Sequence, residues 1–444
     1  MEDITLGFTL IGVMVGLIML GLPIGITLIG TGAVGVWLIR DNPDLAFRFT
    51  AMSTYSGIQD YLFATIPLFV LMGLLVSVSN VGRDTFEVAQ ALLRRVRGGL
   101  GMATVGANAI FAAVTGVSIA SAAVFTKVAV PEMVRHGYSL RFATGTVAGS
   151  SILGMLIPPS LLMIVYGVLA EVSIGRMFIA GILPGLLIAL GFVALIWVRA
   201  AFFPHQIMTA AAPAPAPPER DMPERDMPVG EMVAKAVPIL SLVVLILGGL
   251  YTGFFTPTEA GAVGAAGALV IALARRQLGW ARFWQVLRET GLVSASILFL
   301  LVAASLYSRM LSMAGVPQAI GEMVETMGLG PYGFLAAFVV IVLLMGMILD
   351  STSILLIMVP IGAPIAQAMG FDLIHFGIMV IIAVEMGLLT PPFGISVFTV
   401  KATLGDPRVG VETIFAGALP YVLVMGAALV LIAFVPAIAT ALVG

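Results

Sequence analysis

The chain has 444 residues, of which 60% are hydrophobic and only 10% are charged, and its formal net charge is -2. Globular proteins are roughly 45–50% apolar and about 25% charged, so this composition excludes a soluble enzyme and a disordered protein. The small net charge gives no field that would attract nucleic acid, which excludes a nucleic-acid-binding protein. There is no cysteine for disulfides or thiolate-bound metals, and the three histidines lack the spacing of a zinc site.

Apolar stretches long enough to cross a hydrocarbon core of about 30 Å recur along the chain. The sequence therefore predicts an all-α polytopic membrane protein. The acidic residues at the start lack the basic region of a cleavable signal peptide, so we expect none. The predicted spans lie at 5–22, 24–39, 61–79, 141–169 and 178–199, and then at 236–253, 259–274, 291–311, 375–400 and 414–442.

Two further apolar stretches, 99–134 and 331–369, are interrupted near the middle by polar residues. A helix rises only about 1.5 Å per residue, so each arm is too short to cross the membrane. We interpret both stretches as re-entrant helical hairpins; the alternative is a pair of short tilted spans. Between the two sets of spans, 205–235 is rich in proline and in charge near its centre, which predicts a solvated linker.

The chain also contains an internal repeat. The sequence GYSL at 137–140 corresponds to GFDL at 370–373, and Pro158-Pro159 and Pro391-Pro392 keep the same offset. Each copy holds an odd number of predicted spans, so the two copies must have opposite orientations in the membrane. Inverted repeats with broken helices are typical of secondary transporters, which bind substrate and coupling ions where the repeats meet. The predicted copies are 1–204 and 236–444, and they contain the broken helices 141–169 and 375–400.

The distribution of lysine and arginine predicts which side each connection faces. The segments 82–98 and 275–289 carry four arginines each and should be cytoplasmic, whereas 40–60 and 312–330 have more acidic than basic residues and should be outside. An N-terminus outside the cell satisfies all four assignments and places the linker in the cytoplasm. The first hairpin then enters the membrane from the cytoplasm and the second from the outside.

The two Pro-Pro pairs predict breaks in the helices that contain them. A proline removes one backbone hydrogen bond, so Pro158 and Pro391 should free the carbonyls of Gly154 and Gly387. In hydrocarbon such groups must be buried or line a wet cavity. Unwound carbonyls flanked by hydroxyls form an oxygen cage that suits Na+; the alternative is a simple kink that aids packing.

The middle of each hairpin is polar, with Thr115, Gly116 and Ser118 in the first and Asp350 and Ser351 in the second. A capped helix start at the membrane midplane presents unpaired N–H groups and a partial positive charge, which can hold a carboxylate. The first arm ends at the same place and offers carbonyls to a cation. Ordinary capping of a tight turn is the alternative, and it is compatible with binding. Intramembrane charges are costly and usually functional, so Asp350 is the best candidate for a charged Na+ ligand.

Three more polar residues have roles that the sequence leaves open. Glu385, in the second broken helix, could tune the ion site or satisfy the backbone freed by the break. Asn108, in the first hairpin, could be a ligand or form an interhelical hydrogen bond. Lys127 should lie near the cytoplasmic rim, where its ammonium group can reach water or pair with an acid.

Several motifs resemble the large membrane subunit, of the DctM or SiaM type, of tripartite ATP-independent periplasmic (TRAP) transporters. They are FAAVTGVSIASAA at 111–123, IPPSLLMIVYG at 157–167, SIGRMFIAGILPG at 173–185 and VEMGLLTPPFGISVF at 384–398. The resemblance implies an elevator-type transporter in the bacterial inner membrane that takes up an organic acid with Na+. It also implies two partners, a small four-span membrane subunit of the DctQ or SiaQ type and a periplasmic substrate-binding protein. No cofactor is implied apart from Na+ as the coupling ion.

Carried onto this chain, the resemblance and the breaks together predict an ion site and a substrate site. The predicted sodium-binding residues are Thr115, Gly116, Ser118, Ser150, Ser151, Gly154 and Pro158 in the first copy, and Asp350, Ser351, Gly387, Thr390 and Pro391 in the second. The predicted substrate-binding residues are Asn108, Ser121, Ser160, Ser353 and Ser396.

Three other functions compete with this interpretation. A channel would need a ring of like charges or a filter motif, and the sequence has neither. An intramembrane enzyme would need a nucleophile and a base, and no histidine lies in a predicted midplane segment. A sodium-dependent anion symporter that works without a binding protein is the alternative that the residues leave open.

The opposite orientation of the two copies can be tested with accessibility tags. We expect a tag within 213–227 to be cytoplasmic and a tag within 41–44 to be periplasmic, because the basic segments mark the cytoplasmic side. Labelling intact cells and inverted vesicles with a membrane-impermeant reagent measures both. Accessibility of both tags from one side would contradict the inverted repeat.

Overall fold

The computed structural model describes residues 2–209 and 227–443, and in these residues the chain forms helices joined by short connections. Most of the predicted linker, 210–226, lies outside the described residues. Single turns of 3-10 helix occupy Tyr61–Ala64 and Pro204–Gln206. The helices before the linker are α1 (Glu2–Met19), α2 (Ile24–Arg40), α3 (Pro43–Gln59), α4 (Thr65–Val78), α5 (Val81–Leu93), α6 (Gly99–Thr115), α7 (Ser118–Arg135), α8 (Leu140–Ser151), α9 (Leu153–Leu156), α10 (Leu161–Leu169) and α11 (Ile174–Phe202). Those after it are α12 (Val229–Tyr251), α13 (Pro257–Ala274), α14 (Trp280–Met313), α15 (Val316–Thr326), α16 (Gly330–Gly346), α17 (Ser351–Ala368), α18 (Leu373–Gly387), α19 (Ile395–Leu404), α20 (Val411–Phe434) and α21 (Ala437–Thr440).

The helices confirm an all-α polytopic membrane protein. Among the described residues, seven helical segments are long and apolar enough to cross a membrane, or eight if the bent pair formed by α8–α9 and α10 is one span. That pair bends by 43°, in the predicted broken helix at 141–169. The predicted spans on α1, α2 and α18–α19 coincide with shorter apolar helices. Helix α17 is one of these seven segments. However, 72% of its apolar window is buried inside the protein, as expected of a hairpin arm rather than a lipid-facing span.

Three helices occupy segments that the apolar pattern assigns to polar connections. They are α3, α5 and α15. Helix α3 begins with Asn42, whose side chain accepts a hydrogen bond from Leu45 N at 3.0 Å, and with Pro43 in its first turn. Helix α5 is amphipathic and buries Val81, Gly82 and Phe86 on one face. A search for continuous apolar runs passes over these helices because polar residues interrupt their apolar residues.

Ion pairs fix the polar face of α5 to the second half of the chain. Lys235 of α12 contacts Glu87 at 2.8 Å, and Arg275, just after α13, contacts Asp84. Burial opposes ionisation of Glu87, but hydrogen bonds from Lys235 and Arg83 hold the pKa of this carboxyl below its ordinary value. These half-exposed pairs add specificity to the contact between α5 and α12 rather than much stability.

Both predicted hairpins are present as pairs of packed helices. Helices α6 and α7 pack together across 116–117, and α16 and α17 pack together across 347–350. The first turn is tight and Gly116 adopts φ +63°, a left-handed conformation that glycine reaches without a steric penalty. The side of the membrane from which each hairpin enters remains a prediction.

Contacts between the two halves of the chain occur in exchanged pairs. Helix α2 packs against α14. Helix α13, whose AGAVG at 260–264 corresponds to TGAVG at 31–35 of α2, packs against α4. Helix α8 packs against α20, whereas α11 packs against α18. Likewise α7 packs against α19, and α10 packs against α17. Two repeats related by a pseudo-two-fold axis give this exchange, and the bounds 1–204 and 236–444 remain predictions.

Helices α8 and α20 cross with their backbones in contact. A Cβ atom added to Gly145 would lie 2.2 Å from the carbonyl carbon of Gly417, and one added to Gly417 would lie 2.1 Å from the carbonyl oxygen of Arg141. Backbone cannot yield as a flexible side chain can. Glycine at both positions therefore sets the distance between these two helices.

We expect Gly145→Ala to lower the stability of the protein by about 1–3 kcal/mol, because the added methyl group forces α8 away from α20. Thermal unfolding of the purified protein in detergent measures the loss. Gly12→Ala, on α1, is the matched control, since a Cβ atom there meets nothing within 4 Å. Equal melting temperatures for the two variants would contradict the close crossing.

Candidate ion and substrate site

Four interruptions of helical structure meet where the two halves of the chain pack together. Two are hairpin tips: the first tip comprises 115–121 and the second tip comprises 347–353. Two are the unwound breaks that follow α9 and α18: the first break comprises 157–160 and the second break comprises 388–394. The sequence predicts an ion and substrate site at these four segments, and the structure brings them together.

Each tip is hydrogen-bonded to the break in its own half of the chain. In the first half, Leu161 N donates to the carbonyl of Gly116 at 3.3 Å. In the second half, Phe393 N donates to the carbonyl of Met347 at 3.2 Å. The two bonds occupy corresponding places, at the end of the first arm of each hairpin.

Glycines let the backbones of tip and broken helix approach closely. A Cβ atom on Gly154 would lie 3.0 Å from the carbonyl carbon of Val117, and one on Gly387 would lie 2.6 Å from the Cα of Gly346. The repeat places Gly154 and Gly387 at equivalent positions. Each therefore lies against the hairpin of its own half, and its binding of Na+ remains a prediction.

Each tip also contacts the broken helix of the other half. Ser118 Oγ, at the start of α7, donates to Glu385 Oε2 at 2.8 Å, and both side chains are buried. Ser351 Oγ, at the start of α17, lies 3.8 Å from the sulfur of Met155 in α9. The candidate site is thus shared between the two halves.

Glu385 is the buried acid of this junction. It is 0% exposed, and its second oxygen, Oε1, has no hydrogen-bond partner among the described residues. The carboxyl group bonds to Ser118 and not to backbone freed by the break. A role of Glu385 in tuning an ion site remains a prediction. A buried carboxylate with one neutral donor is costly unless a cation or a proton completes it.

Asn108 links α6 to α8. Its Nδ2 donates to Ser150 Oγ at 2.7 Å, and Ser150 Oγ donates in turn to the carbonyl of Thr146 at 2.7 Å. Asn108 Oδ1 is buried and has no partner among the described residues. The interhelical hydrogen bond is therefore present, and the carbonyl oxygen of the side chain is left to accept from a ligand or to bind a cation.

Other predicted hydroxyls donate to backbone and keep lone pairs for a ligand. Ser151 Oγ donates to Ala148 O at 2.8 Å, Thr115 Oγ1 to Phe111 O at 3.0 Å and Thr390 Oγ1 to Met386 O at 2.8 Å. Ser160 caps α10 and donates to Met155 O.

Two predicted substrate-binding hydroxyls, those of Ser121 and Ser396, have no partner among the described residues. Both residues are buried, and they lie on the packed helices α7 and α19.

The structure corrects one expectation about the second break. The carbonyl of Gly387 accepts a hydrogen bond from Thr390 N at 2.9 Å, so it is wrong that Pro391 leaves this carbonyl without a backbone donor. The reason is that the chain turns after α18 instead of kinking within a continuous helix. A carbonyl has two lone pairs, so Gly387 can still coordinate an ion.

Asp350 caps α17. Its Oδ1 accepts from Thr352 N and Ser353 N at 3.1 Å each, and its Oδ2 accepts from Ser353 Oγ. The residue is exposed, unlike Glu385. Capping is thus observed, and a contact with Na+ remains a prediction.

Lys127 lies away from the tips. It is exposed and lines a separate cavity of about 290 Å³ together with Arg83, Glu87, Gln90 and Glu132. This polar surround is the environment expected of a rim lysine.

Sequence reasoning finds the four interruptions but misses which of them touch. The contact of Ser118 with Glu385 joins residues 267 positions apart, so no local sequence pattern predicts it. The internal repeat is the sequence signal that bears on this contact, since it places a tip and a broken helix at matching positions in both halves.

We expect Ser118→Ala to lower stability by about 1–3 kcal/mol, because it leaves the buried carboxyl of Glu385 without a donor. In a Glu385→Leu background the same change should be nearly neutral, since no carboxyl remains. A double-mutant cycle of unfolding free energies measures the difference. Ser294→Ala is the control, because its buried hydroxyl, unlike that of Ser118, has no partner among the described residues. An equal loss from Ser118→Ala in both backgrounds would contradict the bond.

Comparison with known proteins identifies the family. Residues 11–438 match the family described as "Tripartite ATP-independent periplasmic transporter, DctM component". The "C4-dicarboxylate TRAP transporter large permease protein DctM" of Pseudomonas aeruginosa is 35% identical over 413 residues, which cover 93% of this chain and 92% of that protein. The "Isethionate TRAP transporter permease protein DctMQ" of Oleidesulfovibrio alaskensis is 29% identical over 95% of this chain and 64% of its own length.

A solved structure shares the fold. The YdaH transporter of Alcanivorax borkumensis, whose topology is described as unusual, superposes with a TM-score of 0.59 over 88% of each chain at 15% sequence identity. The sequence matches confirm the resemblance stated above and the prediction of a transporter rather than an enzyme. The chain therefore belongs to the DctM family, the large membrane components of tripartite ATP-independent periplasmic transporters.

Proposed function

We propose that this chain moves an organic acid across the bacterial inner membrane together with Na+. In this proposal the two hairpins and two broken helices bind the ion and the substrate, and they move as one body in an elevator mechanism. The observation that carries the proposal is the junction itself, where four helix interruptions from both halves enclose buried oxygen atoms. The breaks are the places at which inverted-repeat transporters bind ions and substrates.

The donor atoms favour a hard monovalent cation. The junction offers backbone carbonyls, hydroxyls and an amide oxygen, with Glu385 as its buried acid. Oxygen ligands suit hard cations, whereas the softer transition metals prefer nitrogen or sulfur. The described residues hold no group of three or more His, Asp or Glu that could bind a metal ion, which leaves little charge to balance a divalent ion.

The helix starts at the tips favour an anionic substrate. Helices α7 and α17 begin there, and the first N–H groups of a helix bind carboxylates and related anions. At α17 the side chain of Asp350 already occupies two of these groups, whereas Val117 gives α7 no side-chain cap. The start of α7 is thus the better place for a substrate carboxylate. The names of the relatives, which refer to C4-dicarboxylates and isethionate, support an organic acid.

Helix packing supports a division into a moving body and a scaffold. The hairpins, the broken helices, α11 and α20 pack mainly against one another, and α2, α4, α12, α13 and α14 form a second group. Helix α5 contacts both groups, through α6 and through α12, and α15 contacts α17 and α14. A Cβ atom on Gly73 of α4 would lie 2.6 Å from the carbonyl of Thr115, so the first tip lies directly against the scaffold.

The partners in this proposal are a small four-span membrane subunit and a periplasmic substrate-binding protein. The family description as tripartite supports both. The name of the isethionate relative joins M to Q, which supports a small subunit of the Q type as a partner.

Uptake into proteoliposomes tests the proposal. The chain, reconstituted with its small subunit, should accumulate a radiolabelled dicarboxylate only when an inward Na+ gradient and the binding protein are both supplied. Uptake driven without Na+ would overturn the coupling. Uptake that needs Na+ but no binding protein would favour a stand-alone anion symporter.

We expect Asp350→Asn to raise the Na+ concentration for half-maximal uptake by about tenfold or more, the loss of one charged ligand contact. Asp372→Asn is the matched control, because Asp372 caps α18 through Ile374 N and His375 N in the same way but lies outside the tips. The dependence of initial rate on Na+ concentration measures both. An equal change in Na+ dependence in the two variants would show that Asp350 only caps α17 and does not bind Na+.

A further inference from the structure

A second polar cavity lies apart from the junction. It has a volume of about 620 Å³ and is lined by Ser139, Arg141, Arg199, His205, Gln206 and Pro420. These residues come from the start of α8, the end of α11, the turn after it and the first half of α20. Neither the ion site nor the substrate site proposed above uses any of them.

Backbone hydrogen bonds build one wall of this cavity. After α11 the chain folds back along the turn before α8, where Ser139 N donates to Ile207 O at 2.8 Å and Thr209 N donates to Gly137 O at 3.0 Å. Ile207 is buried beneath this contact. The position of His205 relative to α8 is therefore fixed by main-chain bonds.

The lining is cationic and lacks a counter-charge. Among the described residues neither arginine forms an ion pair: Arg141 donates to Ala416 O at 3.1 Å, and the guanidinium of Arg199 lies 5.8 Å from the ring centre of Phe142. Ser139 Oγ caps α8 by accepting from Phe142 N at 3.2 Å, so a helix start adds partial positive charge at the same edge. Two arginines beside a helix start form the donor set that binds phosphate groups.

Large apolar side chains are exposed at the same end of α11 as Arg199. Trp197, Phe202 and Phe203 are 51%, 67% and 45% exposed. Aromatic residues are enriched at the depth of lipid headgroups, and the basic segments predict that this end of α11 faces the cytoplasm. The surface therefore pairs an anion-binding cavity with a face that acyl chains can cover.

We infer that this cavity binds the phosphate group of an anionic phospholipid in the cytoplasmic leaflet. Arg141 and Arg199 contact the phosphate oxygens, and the acyl chains lie along the exposed aromatic side chains of α11. A free phosphate ester has the same headgroup chemistry but gains nothing from the aromatic surface. The lipid is therefore the occupant that the whole surface fits.

The experiment measures lipid binding to the delipidated full-length protein in detergent. Phosphatidylglycerol is titrated against thermal stability, with phosphatidylcholine and inorganic phosphate as comparison ligands. We expect phosphatidylglycerol alone to raise the melting temperature of the wild type. Arg199→Gln should weaken the apparent affinity by about tenfold or more, since it removes charge-assisted hydrogen bonds, and Arg199→Lys should restore most of it.

The matched control is Arg176→Gln, at the other end of α11, where an exposed arginine lies outside the cavity. It should keep the wild-type response. Arg141→Gln gives a second, independent variant of the cavity. An equal lipid response in the cavity variants and the control would overturn the site, and an equal response to inorganic phosphate and phosphatidylglycerol would overturn the lipid as its occupant.

Discussion

Backbone groups that leave a helix inside a membrane need partners within the protein, because hydrocarbon offers none. This chain interrupts its buried helices at two tips and two breaks, and the interruptions satisfy one another. The carbonyls of Gly116 and Met347, at the ends of the first hairpin arms, accept from Leu161 N, directly after the first break, and from Phe393 N, within the second break. These bonds tie each hairpin to the broken helix of its own half and satisfy backbone groups that hydrocarbon could not.

Much of this arrangement could be predicted because it rests on strong local signals. Continuous apolar runs locate the spans, and paired prolines locate the breaks at corresponding places in the two halves. Helices α3, α5 and α15 could not be found in the same way, because polar residues interrupt their apolar residues and leave no continuous apolar run. Helix α5 then proves important, since its ion pairs to Lys235 of α12 and to Arg275 after α13, together with its packing against α6, connect the two groups of helices.

The candidate site was predictable in its segments but not in its bonds. Hydroxyl, carbonyl and carboxyl groups at the tips and breaks could be named from the sequence, whereas the contact of Ser118 with Glu385 depends on how the two halves dock. The bonding of Gly387 depends on the turn that follows α18, which a single proline does not specify. For Asp350, the capping of α17 follows from local sequence, whereas the exposure of its side chain follows from tertiary packing and could not be predicted.

The location of Glu385 indicates how ion binding can affect the contact between the two halves of the chain. Its carboxyl group lies on α18 and accepts a hydrogen bond from the start of α7, so a cation that completes Oε1 acts on the contact between the halves. A ligand stabilises only the arrangement that binds it, by an amount that grows with its concentration relative to its dissociation constant. If Na+ binds here as proposed, it favours the state in which tips and breaks are assembled over any state in which they separate. The N–H groups at the start of α7 are held in place only in the assembled state, so the ion prepares the site that receives the carboxylate. Coupling then needs no direct contact between ion and substrate, because both depend on the same junction.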